Sequence, residues 1–312
     1  MMKVLVTGGA GFIGSHVADG YRAQGLEVVV VDDLSRGSKR NLRAGAPFYQ
    51  ADIRDRAALE EIFRKEKPDL VNHHAAQIDV RLSVKDPVCD ASSNILGSLN
   101  LVELALASKV RRFIYASTGG AIYGEPETLP AGEETPVRPL APYGVSKHTF
   151  ELYLWTMRKL YGLPFVVLRY GNVYGPRQSS KGEAGVVAIF SEQMLGGVTP
   201  TIYGDGTKTR DYIEVSDVVR ANWAALSKGE GEIFNIASGN PTSDYEIFAA
   251  IREALGFPGI EPKYAPKRPG EVDHIVLGIG KAASHLDWKP AVRLQEGIRR
   301  AAEWIRAKHD NG

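Results

Sequence analysis

Residues 3–14 read KVLVTGGAGFIG. An apolar, valine-bearing run meets a cluster of glycines, and a helical pattern begins at Phe12. The stretch therefore reads as strand Lys3–Thr7, tight turn, and helix Phe12–Gln24, which Gly25 ends. In that context the glycine spacing has a physical purpose. Gly8 permits the turn, Gly11 lets backbone approach a pyrophosphate, and Gly14 lets the helix pack closely on the strand. The amides and positive dipole end of the helix complete a phosphate cradle. The stretch predicts a dinucleotide-binding α/β unit.

Working outward, Glu27–Asp32 (EVVVVD) is a second strand rich in β-branched valine. Its last residue, Asp32, lies about 20 residues beyond the glycines, where a carboxylate accepts from the adenosine ribose. That charge repels a 2′-phosphate, so NAD is expected over NADP. Arg36, Lys39 and Arg40 read as a solvated basic loop. After a weaker strand at Pro47–Gln50, Asp52 and Ile53 fall within reach of an adenine. Helix Arg56–Lys65, strand Leu70–His73, helix Ser93–Ala107, strand Arg112–Ser117, helix Tyr143–Tyr161 and strand Phe165–Tyr170 follow. Strands separated by helices predict right-handed crossovers and an α/β fold with a doubly wound, mostly parallel Rossmann sheet.

The second half is richer in turns, at Gly175-Pro176, Gly196-Gly197, Gly204-Asp205-Gly206 and Pro269-Gly270. The expected division is a dinucleotide-binding domain over 1–174 and a smaller C-terminal substrate-binding lobe over 175–312. The segment 211–238 is expected to return to the main sheet through FNIAS at 234–238. No internal repeat is visible, and the polar tail 306–312 is expected to fray.

The bulk composition excludes several classes. A net charge of +1 argues against nucleic acid or acidic membrane as a partner. The single cysteine, Cys89, rules out an internal disulfide and fits a reducing compartment. The N-terminus lacks the apolar core of a signal peptide, and no apolar run is long enough to span a bilayer, so a cytoplasmic protein is expected. Two helices are apolar on more than one face. One carries Ile95, Leu96, Leu99, Val102 and Leu106; the other carries Phe150, Leu152, Leu154, Trp155 and Leu160. A helix on a sheet needs one apolar stripe, so the surplus predicts a homodimer.

Tyr143 and Lys147, in APYGVSKHTF, share a helix face at i and i+4, with Pro142 placed to start the helix. A phenol with a pKa of about 10 is a poor base at neutral pH. An adjacent ammonium and an oxidised nicotinamide favour its phenolate, and a shift of roughly three units corresponds to about 4 kcal/mol. The strand ending in YAST carries Thr118 to the sheet edge where ligands bind, and its hydroxyl can relay a proton. The adjacent His73 and His74 point apart and read as shaping a strand end, not as metal ligands. No metal is expected.

Together TGGAGFIG, YASTGGAIYGE, PYGVSK, LRYGNVYGPRQ, RDYIEVSDV at 210–218 and RPGEV at 268–272 resemble the extended short-chain dehydrogenase/reductase superfamily. Within it they resemble the UDP-glucose 4-epimerases, over nearly the whole chain. The resemblance implies NAD, and a cofactor site that extends to Ile13, Asp33, Ala75, Ala76, Gln77, Asn94 and Tyr170. It implies Tyr143 as base, Lys147 on the nicotinamide ribose and Thr118 as assistant. It places Asn172, Val187 and Tyr203 near the substrate. Arg210 and Arg268 resemble a diphosphate clamp, a role that suits guanidinium, and Glu271 resembles the acid that holds the nucleotide ribose. The implied activity removes a hydride at C4 of a nucleotide sugar and returns it to the opposite face.

There are departures from the family pattern. Gln77 stands where many epimerases have lysine, Gly171 replaces an aromatic residue of some relatives, and Val186-Val187 replace an asparagine–apolar pair. Ile275 replaces a tyrosine that closes the sugar pocket against N-acetyl groups, which leaves both plain and N-acetyl hexoses as candidate substrates. Gly119-Gly120 occupy the place of the Asp-Glu pair that dehydratases use to eliminate water. Epimerases of uronate, pentose or dTDP-hexose nucleotides, a decarboxylase and a non-catalytic NAD sensor remain alternatives.

Overall fold

The structure, a computed structural model, describes residues 2–180, 185–267 and 272–310. The valine run forms β1 (Lys3–Thr7), and the glycine turn passes the chain to α1 (Phe12–Ala23). Then come β2 (Glu27–Asp32), β3 (Phe48–Gln50), α2 (Arg56–Glu66) and β4 (Leu70–His73). The Asp55 side chain caps α2 by accepting from the Ala58 amide. Two short helices that the sequence reading did not anticipate, α3 (Val80–Lys85) and α4 (Pro87–Ala91), each start on an aspartate cap.

The helix expected over Ser93–Ala107 needs correction. Its first part, Ser92–Gly97, is π-helical, and α5 spans Ser98–Ala107. The local cause is polar: Asn94 accepts from the Gln77 amide at 2.8 Å and donates to the Gln77 carbonyl at 2.9 Å. Widened turns of this kind recur at functional sites.

Next are β5 (Arg112–Thr118), α6 (Pro142–Tyr161), β6 (Phe165–Tyr170) and β7 (Asn172–Tyr174). Pro142 opens α6, and Gly162 closes it at φ 71°. The remaining elements are α7 (Val186–Leu195), β8 (Thr201–Tyr203), β9 (Thr209–Glu214), α8 (Val215–Ala225), β10 (Glu232–Ile236), β11 (Pro241–Ser243), α9 (Asp244–Ala254), β12 (Lys263–Ala265), α10 (Gly280–His285) and α11 (Leu294–Asp310).

Seven strands form one parallel sheet in the order β3-β2-β1-β4-β5-β6-β10. Period-two alternation decides its layers. Leu5, Val71, Phe113 and Val167 point to the face covered by α2, α5 and α6. Val4, Val6, Ile114 and Val166 point to the face covered by α1 and α8. A third core lies among α7, α9 and α11. Two small sheets, β7-β9-β11 and β8-β12, stand beside the large one. All seven long-sheet strands run one way, so Thr7, Asp32, His73, Thr118 and Tyr170 end at the same edge. The strand order reverses between β1 and β4, which is where open α/β sheets place their ligands. Among the described residues no helix is long and apolar enough to cross a membrane.

Candidate active site

A cleft of about 730 Å³ lies over that edge, with the glycine turn at one end and Tyr143, Lys147 and Tyr170 at the other. At the glycine end the demands are steric. Gly8 has φ 66°, and a Cβ there would lie 2.6 Å from the Ala75 nitrogen. At Gly14 a Cβ would lie 2.2 Å from the Gly8 carbonyl oxygen. The N-cap of α1 is Gly11, whose position leaves the first-turn amides without a side-chain cap.

Asp32 accepts from the Ala10 amide at 3.0 Å and the Leu34 amide at 2.8 Å. Burial pushes its carboxyl up, and those amides pull it back. Phe12, Ile13, Asp33, Asp52 and Ile53 also line the cleft, and Ala75, Ala76 and Gln77 form the facing wall. Asp52 is forked by Arg54, at 3.0 and 2.5 Å. Two readings change. Asn94 is buried and spends its amide on Gln77, Asp90 and Ser146, so it supports the wall from behind. Arg36, read as part of a solvated loop, lines the cleft.

At the other end the important groups are titratable. The Tyr143 amide donates to Ser83 Oγ at 3.1 Å, which fixes the start of α6. One turn on, Lys147 Nζ donates to the Ala116 carbonyl at 2.8 Å and sits 4.7 Å from the Tyr115 ring centroid. Burial lowers Lys147 to about 8, against the pull of Asp90 and Glu151. Burial, reinforced by Asp90, raises the Tyr143 phenol above its ordinary value. Thr118 ends β5, where its hydroxyl accepts from the Ala121 amide at 3.2 Å. It is not among the residues that line the cleft; its neighbour Ser117 is.

A buried ion pair stands behind this end. Glu151, one turn beyond Lys147, receives Arg169 at 3.0 and 2.6 Å and the Ser117 hydroxyl at 2.6 Å. Burial alone would raise Glu151, but the Arg169 guanidinium, with His148 and Ser117, holds it below the usual carboxylate range. Tyr170 takes the Asn222 amide at 2.8 Å and meets His74 Nε2 at 3.2 Å, with the two rings stacked. His73 faces the other way, against Thr7 at 2.7 Å and Ser98 at 2.8 Å. Burial lowers both histidines, so both are neutral. No cluster able to hold a metal occurs among the described residues.

The residues assigned to the substrate are placed unevenly. Asn172 begins β7 with its amide oxygen 3.2 Å from where a Gly120 Cβ would lie. Arg210, on β9, donates to the Thr209 and Asp273 carbonyls at 2.9 and 3.2 Å. The adjacent Asp211 turns inward and accepts from Ser238, Gly239 and Leu277, tying three segments together. Tyr203 is half-buried at the end of β8. The Val187 side chain packs in the third core, 1% exposed. Ile275 is 1% exposed among Ile122, Tyr123, Ala131, Ala237 and Leu277. Arg268 and Glu271 lie outside the described residues.

The sequence reading also missed Asn41, Arg177 and Gln178 on the cleft wall. The last two stand in the quoted motif LRYGNVYGPRQ, which was the available signal.

The residues present fit a dinucleotide: two glycine positions that a Cβ would fill, an uncapped helix end, and a strand-end carboxylate with amide support. Comparisons agree. UDP-glucose 4-epimerase of Mycolicibacterium smegmatis is 44% identical over 98% of this chain and 99% of its own length. The structure of UDP-glucose 4-epimerase with UDP-glucose from Thermotoga maritima is 47% identical, with TM-score 0.97 over 99% of this chain and 100% of that one. The Thermus thermophilus UDP-glucose 4-epimerase complex with NAD is 47% identical, with TM-score 0.92 over 98% and 99%. With residues 4–237 matching its pattern, the chain belongs to the NAD dependent epimerase/dehydratase family.

Proposed function

We propose that the chain is a nucleotide-sugar 4-epimerase that interconverts UDP-glucose and UDP-galactose. The observation that carries this reading is Tyr143 and Lys147 together on the wall of a dinucleotide cleft, beside a strand end followed by Gly119-Gly120 and not by an acidic pair. NAD, when bound, supplies the chemistry of taking the C4 hydride and giving it back.

The chain's own residues do the rest. Tyr143 exchanges a proton with the C4 hydroxyl, and Lys147 holds positive charge beneath it. Thr118, at the end of β5, stands beside the reacting edge to assist. Arg210 and Asn172, with Arg268, anchor the nucleotide diphosphate, Glu271 holds the nucleotide ribose and Tyr203 stands near the substrate, while the sugar is held loosely enough to turn as a 4-keto species. Beyond the Pro176–Gln178 stretch on the cofactor cleft, and apart from the segment 211–238 that rejoins the sheet, the rest of the chain after Gly175 serves the substrate. Ile275 is smaller than the tyrosine that the resemblance places at this position, so N-acetyl hexoses are candidate substrates as well.

The test is to incubate purified protein, without added cofactor, with UDP-glucose, UDP-galactose, their N-acetyl forms and dTDP-glucose. Inversion at C4 of the UDP-hexoses is expected. Loss of water or carbon dioxide would replace this reading with elimination or decarboxylation, and rejection of the N-acetyl pair would remove the Ile275 assignment.

Homodimerisation belongs to the same proposal. Leu96, Leu152, Trp155 and Leu160 are each more than half exposed, at 60, 55, 55 and 65%, and their helices are neighbours. Several exposed large apolar side chains on neighbouring helices mark an interface. Light scattering that returns the mass of a single chain would dismiss it.

A further inference from the structure

The segment after β7 crosses back over the first turns of α1. His16 Nε2 donates to the Pro176 carbonyl at 2.9 Å. Arg177, at φ 65°, turns toward the same helix. Its Nη2 donates to Asp19 at 2.7 Å, and its Nη1 makes longer contacts, 3.2 Å to Ser15 Oγ and 3.5 Å to the Asn41 carbonyl. A non-glycine residue in the left-handed region is held there against its preference, a condition concentrated at functional sites.

The charge balance at this corner is uneven. Asp19 faces two guanidiniums, Arg177 at 2.7 Å and Arg43 at 3.2 Å. One carboxylate between two cations leaves a net positive charge, and it lies beside the positive end of α1. The other cations on the cleft wall have different engagements. Arg54 is forked to Asp52, Arg36 faces Asp79 at 3.4 Å, and Lys147 is bound to the Ala116 carbonyl at the far end. Arg177 is therefore the cleft cation stationed at the phosphate cradle, with one nitrogen in weak contacts that an anion can replace.

We propose that Arg177 is a cofactor-binding residue. Its guanidinium takes the pyrophosphate of NAD over the first turn of α1, and the Pro176-Arg177 strap keeps the dinucleotide on the protein from one half-reaction to the next. This rests on the cofactor reading and assigns a residue to it. An epimerase that recycles its oxidant has no use for release between turnovers, so a clasp at the phosphates serves the chemistry without touching the reacting carbon.

The test measures NAD content and NAD release rate on the full chain. Arg177→Met is expected to release NAD at least about tenfold faster, the effect of losing one charge-assisted contact, and to make turnover depend on added NAD. Asp19→Asn removes the counter-charge and leaves the guanidinium, so it is expected to hold NAD at least as well as the parent protein. If Arg177→Met retains NAD normally, the proposal fails. If Asp19→Asn loses NAD as fast as Arg177→Met, the packing of the strap and not the guanidinium does the holding, and the proposal fails again. Should Arg177→Met not fold, Arg177→Gln carries the same expectation. A parent protein that holds no NAD at all would remove the cofactor reading together with this one, before any variant is made.

Discussion

At the α1 end of the cleft the cradle is shaped mainly by backbone atoms: the Gly8 carbonyl that a Gly14 Cβ would strike, the Ala75 nitrogen against Gly8, and the uncapped amides of the first helical turn. At the α6 end the decisive contacts are made by ionisable side chains: Tyr143, half-buried on the cleft wall, and the buried Lys147, Glu151 and Arg169. The two ends divide the work accordingly. Backbone holds a ligand by shape and dipole and is indifferent to pH. Ionisable side chains move protons, and their charge depends on each neighbour. Damage at one end should cost binding, and damage at the other should cost chemistry.

The sharpest test is Tyr143→Phe. Removing a general base is expected to lower kcat by about 10²–10⁴-fold while the purified protein still carries NAD, as turnover assay and NAD content will show. Loss of NAD in that variant would break the division between the ends.

The next effect belongs to the charge network. Glu151→Gln leaves the Arg169 guanidinium, 2% exposed, without its counter-charge, and breaking a buried pair costs about 3–5 kcal/mol, read as a lower melting temperature. The same change has a pH signature. Lys147, lowered to about 8, carries its ammonium below that value and loses it as pH rises through it. In the parent protein kcat/KM should therefore fall on the alkaline side. Glu151 helps hold that proton, so the fall should move to lower pH in Glu151→Gln. An unmoved alkaline limb would make Glu151 purely structural.

Gly14→Ala has the smallest expected effect on stability. Its Cβ would lie 2.2 Å from the Gly8 oxygen, and overpacking of this kind costs about 1–3 kcal/mol. The diagnostic is that NAD retention falls more than stability does. A variant that keeps its NAD would show that the steric reading of the turn is wrong.

The two ends also differed in how far they could be read in advance. Gly8, Gly14 and Asp32 were legible because their roles are local, depending on a strand, a turn and a helix that are consecutive in the chain. Tyr143 and Lys147 were legible because i, i+4 spacing puts them on one helix face. At Asn94 and Val187, motif position did not reveal which way the side chain finally packs. Asn94 is drawn back by Gln77 and Asp90, and Val187 is claimed by a core shared with α9 and α11. The Glu151–Arg169 pair carried one local clue, Glu151 one turn past Lys147, but its partner arrives from a different strand.

The order of apolar runs and breakers in this chain was enough by itself to determine a parallel, doubly wound sheet with a phosphate-cradling turn, because hydrophobic period and glycine stereochemistry act over a few residues. Tertiary structure alone decided which charges share the cleft. It brought Arg177 to Asp19, closed Arg169 onto Glu151, and set Lys147 against the Ala116 carbonyl. Electrostatic energies depend on separation and on the exclusion of water, and neither exists until distant segments have packed together.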